Sequence, residues 1–143
     1  MHIVDALLIA VKNIATHGDT DIFPFPFEYH LFFDEPDKCV ATLQELHNNF
    51  EEYISTYPTE MIETLSQVGY TGFRLAAQIE PFWNAYYLAC VISLAEDIEF
   101  TRLPEDAETV FSYRFQWQDE TGKLFNDSTW RDYKNRCINL SRQ

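Results

Sequence analysis

The sequence predicts a mainly α-helical chain with a small β component, an α+β arrangement of helices packed on a buried central helix beside a short β-hairpin. Three observations lead there. Apolar residues recur at helical spacing from Ile3 to Ala15 and again from Val40 to Tyr57. A third stretch, beginning at Pro81, is apolar on nearly every side and reads as a buried column. Short runs rich in aromatic and branched residues flank glycine-bearing turns, the pattern of strands. At 143 residues, 46% hydrophobic and 16% aromatic, the chain is long enough for a single domain with a real core.

The elements follow in order. Ile3, Ala6, Leu7, Ala10, Val11 and Ile14 make one face of a first helix, which His17-Gly18 would stop. Asp19 to Phe33 contains Phe23-Pro24-Phe25-Pro26-Phe27, and proline lacks the N–H that a ladder needs. An extended arm laying aromatics on the core is expected there. Asp34-Glu35-Pro36-Asp37 is an acidic, proline-bearing helix start. One continuous helix should follow, with Val40, Leu43, Leu46, Phe50, Tyr53, Ile54 and Tyr57 on its inner face until Pro58. Leu65-Ser66-Gln67-Val68 and Phe73-Arg74-Leu75 around Gly69-Tyr70-Thr71-Gly72 suggest a hairpin. The central helix would run from Pro81 to about Phe100. Pro104 to Glu108 reads as an acidic loop, and Val110 to Phe115 as a strand. Asp119 to Lys123 reads as a turn, Leu124-Phe125 as the returning strand, and Ser128 or Thr129 to Arg136 as a last helix.

Charge and cysteine content narrow the function. Ten basic residues against 23 acidic ones give a net charge of −13, which disfavours gripping nucleic acid by bulk charge. Residues 1–73 hold two basic side chains, Lys12 and Lys38, against twelve acidic ones; residues 74–143 hold eight against eleven. Any phosphate contact is therefore expected from Arg74 onward. Cys39, Cys90 and Cys137 form no C-x-x-C pair and no zinc pattern, and are expected as reduced thiols, Cys90 in the core. No basic leader or membrane-length apolar run is present, which suggests a soluble, cytoplasmic protein.

Motifs for independent catalysis are missing from the sequence. It holds no glycine-rich phosphate loop, G-x-S-x-G or H-E-x-x-H, and His2, His17, His30 and His47 are scattered. Asp19-Thr20-Asp21 offers oxygen ligands to a hard cation, though capping is the simpler role. Glu51-Glu52 and Glu96-Asp97 with Glu99 read as solvated helix faces. Two arginines stand out. Arg74 follows a glycine turn with aromatics, and Arg114 follows Phe111-Ser112-Tyr113; a guanidinium fork suits phosphate and stacks on bases.

The wording of several segments carries a resemblance. Gly18-Asp19-Thr20-Asp21-Ile22-Phe23-Pro24-Phe25-Pro26-Phe27-Glu28, Val68-Gly69-Tyr70-Thr71-Gly72-Phe73-Arg74 and Ala77 to Ala89 (AQIEPFWNAYYLA) are three of them. Val110-Phe111-Ser112-Tyr113-Arg114-Phe115 and Glu120-Thr121-Gly122-Lys123-Leu124-Phe125 with Trp130 complete the set. Together they resemble the N-terminal and fingers region of bacterial "unknown group" reverse transcriptases, several of which act in anti-phage defence. The likeness implies an N-terminal helical extension over residues 1–60 and a fingers-like part over 61–143, within one domain. It implies that Arg74, Tyr113, Arg114 and Lys123 meet template–primer or nucleotide phosphates. The family's palm aspartates hold two Mg²⁺ ions, commonly in a Tyr-Ala-Asp-Asp-like turn; no such turn occurs in these 143 residues. The expectation is a part that contributes contacts without the catalytic palm and does not polymerise alone, with no cofactor of its own and Mg²⁺ only in a complete polymerase.

Two readings result. In the first, the chain is that gripping part of an RNA-directed DNA polymerase, partnered by RNA or DNA, by the missing palm half, or by further copies of itself. Arg74 and Arg114 should then share a face beside an exposed apolar surface. In the second, it is an acidic helical interaction module that takes a protein partner through Phe23, Phe25, Phe27, Phe32 and Phe33. Those aromatics should then form an exposed patch.

Overall fold

A computed structural model describes residues 1–18, 26–104, 113–126 and 130–140. Seven helices and two separate antiparallel hairpins occur among them, in the order α1 (Ile3–His17), α2 (Pro26–Asp34), α3 (Pro36–Asn48), α4 (Phe50–Thr56), β1 (Met61–Gln67), β2 (Phe73–Ile79), α5 (Pro81–Ser93), α6 (Ala95–Thr101), β3 (Phe115–Gln118), β4 (Lys123–Phe125) and α7 (Trp130–Leu140). The mainly α architecture with a small β component is thus present.

Helix α1 begins where His2 Nδ1 accepts from the Val4 amide at 3.3 Å. It ends where Gly18, at φ 84°, turns its N–H onto Ile14 O. Ala6, Leu7, Ala10, Val11 and Ile14 are all but inaccessible, so α1 supplies more of the core than any other element. It packs chiefly along α5, and α2 and α3 close the same core through Phe32, Cys39 and Leu43.

The stretch beginning at Pro26 is helical rather than extended. Proline at a helix start gives up no hydrogen bond, because the first N–H groups are unpartnered anyway. Phe27 to Asp34 contains no further proline or glycine, so nothing resists propagation until Glu35, which precedes Pro36 and is pushed to φ −134°, ψ 53°. Among the described side chains of this run, Phe32 reaches the core, its ring 5.1 Å from Phe82. The earlier part of the expected arm, including Asp19-Thr20-Asp21, Phe23 and Phe25, lies outside the described residues.

Two helices expected as continuous are interrupted, by related chemistry. Asn49 separates α3 from α4 at φ −122°, ψ 37°, its side-chain amide donating to Glu45 O at 3.2 Å. Before Leu94 separates α5 from α6, Ser93 Oγ donates to Cys90 O at 2.7 Å. In both places a short polar side chain competes for helical carbonyls. Helix α5 is also less enclosed than its composition suggests. Trp83, Ala85, Ala89 and Ile92 are buried, but Tyr87 and Val91 face solvent, and Cys90 is only half-buried. The column at the centre is therefore the α1–α5 pair, not α5 alone.

The second hairpin is fastened to α1. Its turn places Gly122 at φ 66°, with the Gly122 carbonyl accepting from Asn13 Nδ2 at 2.7 Å and Thr121 O 2.9 Å from His17 Nε2. A Cβ on Gly122 would stand 3.0 Å from Thr16 Oγ1. Lys12 pairs with Asp119 at 2.7 Å, and Leu124 enters the core. The strand begins at Phe115, while residues 110–112 of the expected strand lie outside the described residues. Among the described residues, no helix is long and apolar enough to cross a membrane.

Candidate functional site

The first hairpin is built on a continuous seven-pair register, Met61 opposite Ile79 through Gln67 opposite Phe73. Its loop is closed by Val68 N–H donating to Gly72 O at 2.8 Å, and by Gln67 Nε2 donating to Gly69 O at 2.8 Å. Gly69 sits at φ 116°, a value other residues avoid, which explains its place in the turn. The ring of Tyr70, at the tip, is fully exposed. Arg74, directly across from Ser66, lies exposed on the strand that returns from that tip. The Val68-to-Arg74 segment singled out in the sequence is therefore the hairpin's end and the start of its second strand.

Side chains alternate across a strand, and directly opposed residues share a face. Ala76 and Gln78 face the body and are buried, with Ile62, Ser66 and Arg74 on the same side of the sheet. Met61, Leu65, Phe73, Leu75 and Ile79 lie on the other side, 60%, 65%, 64%, 66% and 37% exposed. The outward face is thus the more apolar of the two. Period-two alternation in β2, from Phe73 to Ile79, carries that signal in the sequence, which composition alone does not reveal.

Beneath the hairpin's base lies a cleft of about 600 Å³, lined by Leu46, Tyr53, Tyr57, Ile62, Phe82 and Trp83 among others, with the carboxylates of Glu60 and Glu80 at its edge. The indole of Trp83 donates from Nε1 to Tyr57 O at 3.1 Å, and Glu80 caps α5 by accepting from the Trp83 amide at 3.1 Å. Nearby, Tyr86 hydroxyl meets His47 Nδ1 at 2.8 Å. Burial, with the adjacent Cys90 thiol, pushes the Tyr86 phenol up to about 12. It remains a neutral hydrogen-bonding group throughout the working pH range.

Arg114 has a different setting from Arg74. Its Nη1 donates to Glu99 Oε2 at 3.0 Å, and its Nη2 to the Leu103 carbonyl. Arg102 Nη1 donates to Glu99 Oε1 at 2.6 Å and to Tyr113 O at 2.8 Å, while the Phe115 amide donates to the same Glu99 oxygen at 2.9 Å. Glu99 is therefore not a solvated helix residue but the point at which α6 and β3 are clamped. Burial raises its pKa, yet the Phe115 amide and the Arg114 and Arg102 guanidiniums outweigh this and hold the carboxyl below its ordinary value. Tyr113 rests its ring near Phe125, at 5.8 Å, and Lys123 is exposed on β4. Of the four expected contact residues, Arg74 belongs to the first hairpin, whereas Tyr113, Arg114 and Lys123 belong to the region of the second.

The aromatics of the alternative reading divide in the same way. Phe27 is 86% and Phe33 64% exposed, whereas Phe32 is wholly buried. No group of three or more histidine, cysteine, aspartate or glutamate side chains suited to a metal ion occurs among the described residues. No protein-family model matches this chain, and neither curated proteins nor solved structures yield a match.

Proposed function

We propose that this chain is the N-terminal and fingers part of a reverse transcriptase of the anti-phage defence type, contributing contacts to template–primer or nucleotide phosphates. The observation that carries the reading is the first hairpin. Its tip bears one of the segments that carry the resemblance, with a fully exposed aromatic at Tyr70 and a guanidinium at Arg74 one strand position beyond Phe73. Aromatic rings stack on bases without regard to sequence, and arginine suits the phosphates between them. Arg114 serves the fold through Glu99, and Arg74 lies exposed on β2 just past the tip. Nucleotidyl transfer is not assigned to these residues, and Mg²⁺ belongs to a complete polymerase.

Anisotropy of labelled single-stranded RNA and DNA of about 20 nucleotides tests this, a length that covers one or two sites of the usual size. Binding should weaken as salt rises. Arg74→Ala should lower affinity several-fold. Binding indifferent to Arg74→Ala and to Tyr70→Ala would remove the hairpin from the interface.

A second reading, an acidic module that takes a protein partner, is favoured by the outward-facing Phe27 and Phe33. It requires partner capture that Phe27→Ala and Phe33→Ala abolish, together with no salt-sensitive nucleic-acid binding.

A further inference from the structure

The outward face of the first hairpin is inverted relative to the rule for a two-stranded sheet on a domain surface. One side of such a sheet packs inward and is apolar, and the other is solvated and polar. Here the inward side carries Ser66, Arg74 and Gln78 with Ile62 and Ala76, while the outward side carries Met61, Leu65, Phe73, Leu75, Ala77 and Ile79 beside Glu63 and Gln67. Leu65 and Leu75 are directly opposed, as are Met61 and Ile79, so these side chains form one strip rather than scattered single residues. Contiguous exposed apolar surface of this kind marks an interaction site. Among the described residues both strand edges are open as well, since each hairpin forms its own two-stranded sheet.

Charge selects the occupant. Glu63 lies exposed within the strip, opposite Ala77. The chain as a whole carries −13, so a second copy would bring that charge against an equal one. We infer that the outward face of the 61–79 hairpin is a docking surface for a basic, amphipathic polypeptide segment, whose apolar side covers Leu65, Phe73 and Leu75 and whose lysines or arginines meet Glu63. This inference is independent of the polymerase reading, which places nucleic acid at Tyr70 and Arg74.

Two synthetic 18-residue amphipathic peptides test it, one of leucine and lysine and one of the same pattern in leucine and glutamate. Titration of the full chain by calorimetry should give micromolar affinity for the lysine peptide and at least tenfold weaker binding of the glutamate peptide. Leu65→Ser with Leu75→Ser should weaken the lysine peptide at least tenfold while leaving the thermal melt in place, because both side chains are about two-thirds exposed. Glu63→Gln should weaken it several-fold and flatten its salt dependence. Equal binding of both peptides, or lysine-peptide binding unchanged by the paired serine variant, overturns the assignment. So does a concentration-dependent dimer by light scattering that this variant abolishes, since that would make a second copy the occupant. Displacement of the lysine peptide by single-stranded RNA in the wild type but not in Arg74→Ala would give the face to nucleic acid and likewise overturn it. Loss of RNA binding alone, with peptide binding intact, would sink the polymerase reading and leave this one standing.

Discussion

A carboxylate shared by two guanidiniums and a backbone amide behaves differently from one on an open helix face. Glu99 has 22% side-chain exposure, and its partners hold it below the usual carboxylate range. A folded-state pKa depressed in this way contributes stability above the unfolded value, near 4.3, and loses that contribution as pH falls through the folded value. Glu99→Gln should therefore destabilise the fold at neutral pH, by about 1–3 kcal/mol on the scale of hydrogen bonds to charged groups. The gap between variant and wild type should close as melts are taken down toward about pH 3, below the ordinary carboxylate range. A gap that persists unchanged in acid would mean that packing, not charge, holds α6 to β3. Gly122 is the second residue whose setting dictates an outcome. At φ 66°, and with Thr16 Oγ1 only 3.0 Å from where a methyl group would stand, Gly122→Ala should cost roughly 1–2 kcal/mol in chemical denaturation. Gly69, at φ 116° in open space, should show only the backbone part of that penalty.

At the scale of elements, the two hairpins differ in what fixes them. The second is bound to α1 by Asn13, His17 and Lys12 and contributes Leu124 to the core. The first is tied mainly to itself and reaches the body through Ala76, Gln78 and the cleft at its base. A lone two-stranded hairpin is marginal in water, so its amides should exchange much faster than those of α1 and α5. Hydrogen exchange resolved by residue checks this, and equal protection in 61–79 and 3–17 would contradict it. A lysine-peptide complex should slow exchange in 61–79 and leave α1 unchanged. Within the helical body the ordering is reversed: Phe32→Ala removes a fully buried ring and should cost about 3–5 kcal/mol, which makes it among the most destabilising single truncations.

For the whole molecule, net charge is the governing quantity. With −13 on 143 residues, self-repulsion opposes the compact state, and it is screened over about 10 Å at 0.1 M salt. Tm should rise when salt is increased from about 10 mM to about 150 mM. RNA affinity should fall over the same interval, because local phosphate contacts by a few cations are what salt displaces. A Tm that decreases with salt would show that pairs such as Lys12–Asp119 and the Glu99 cluster outweigh the overall repulsion.

Much of the architecture was legible in one dimension because it depends on near neighbours. The helical spacing of α1, the Asp34-to-Asp37 start of α3, the glycine-centred first hairpin and the Asp119–Gly122 turn all follow from residues within a few positions of one another. The breaks at Asn49 and Ser93-Leu94 have local causes too, but weak ones that a strong apolar period masks. Whether Pro26 begins a helix or continues an arm was undetermined locally, since proline suits both; Phe32 entering the core settles it. The settings of the two arginines were beyond the reach of sequence. Arg114 and Arg74 each follow aromatics, yet one is held by Glu99, fifteen positions earlier, and the other stands on an exposed strand. Which face of the 61–79 hairpin meets the body was equally a matter of tertiary packing. Alternation says that two faces exist, and only the position of the neighbouring helices decides which one is left to water.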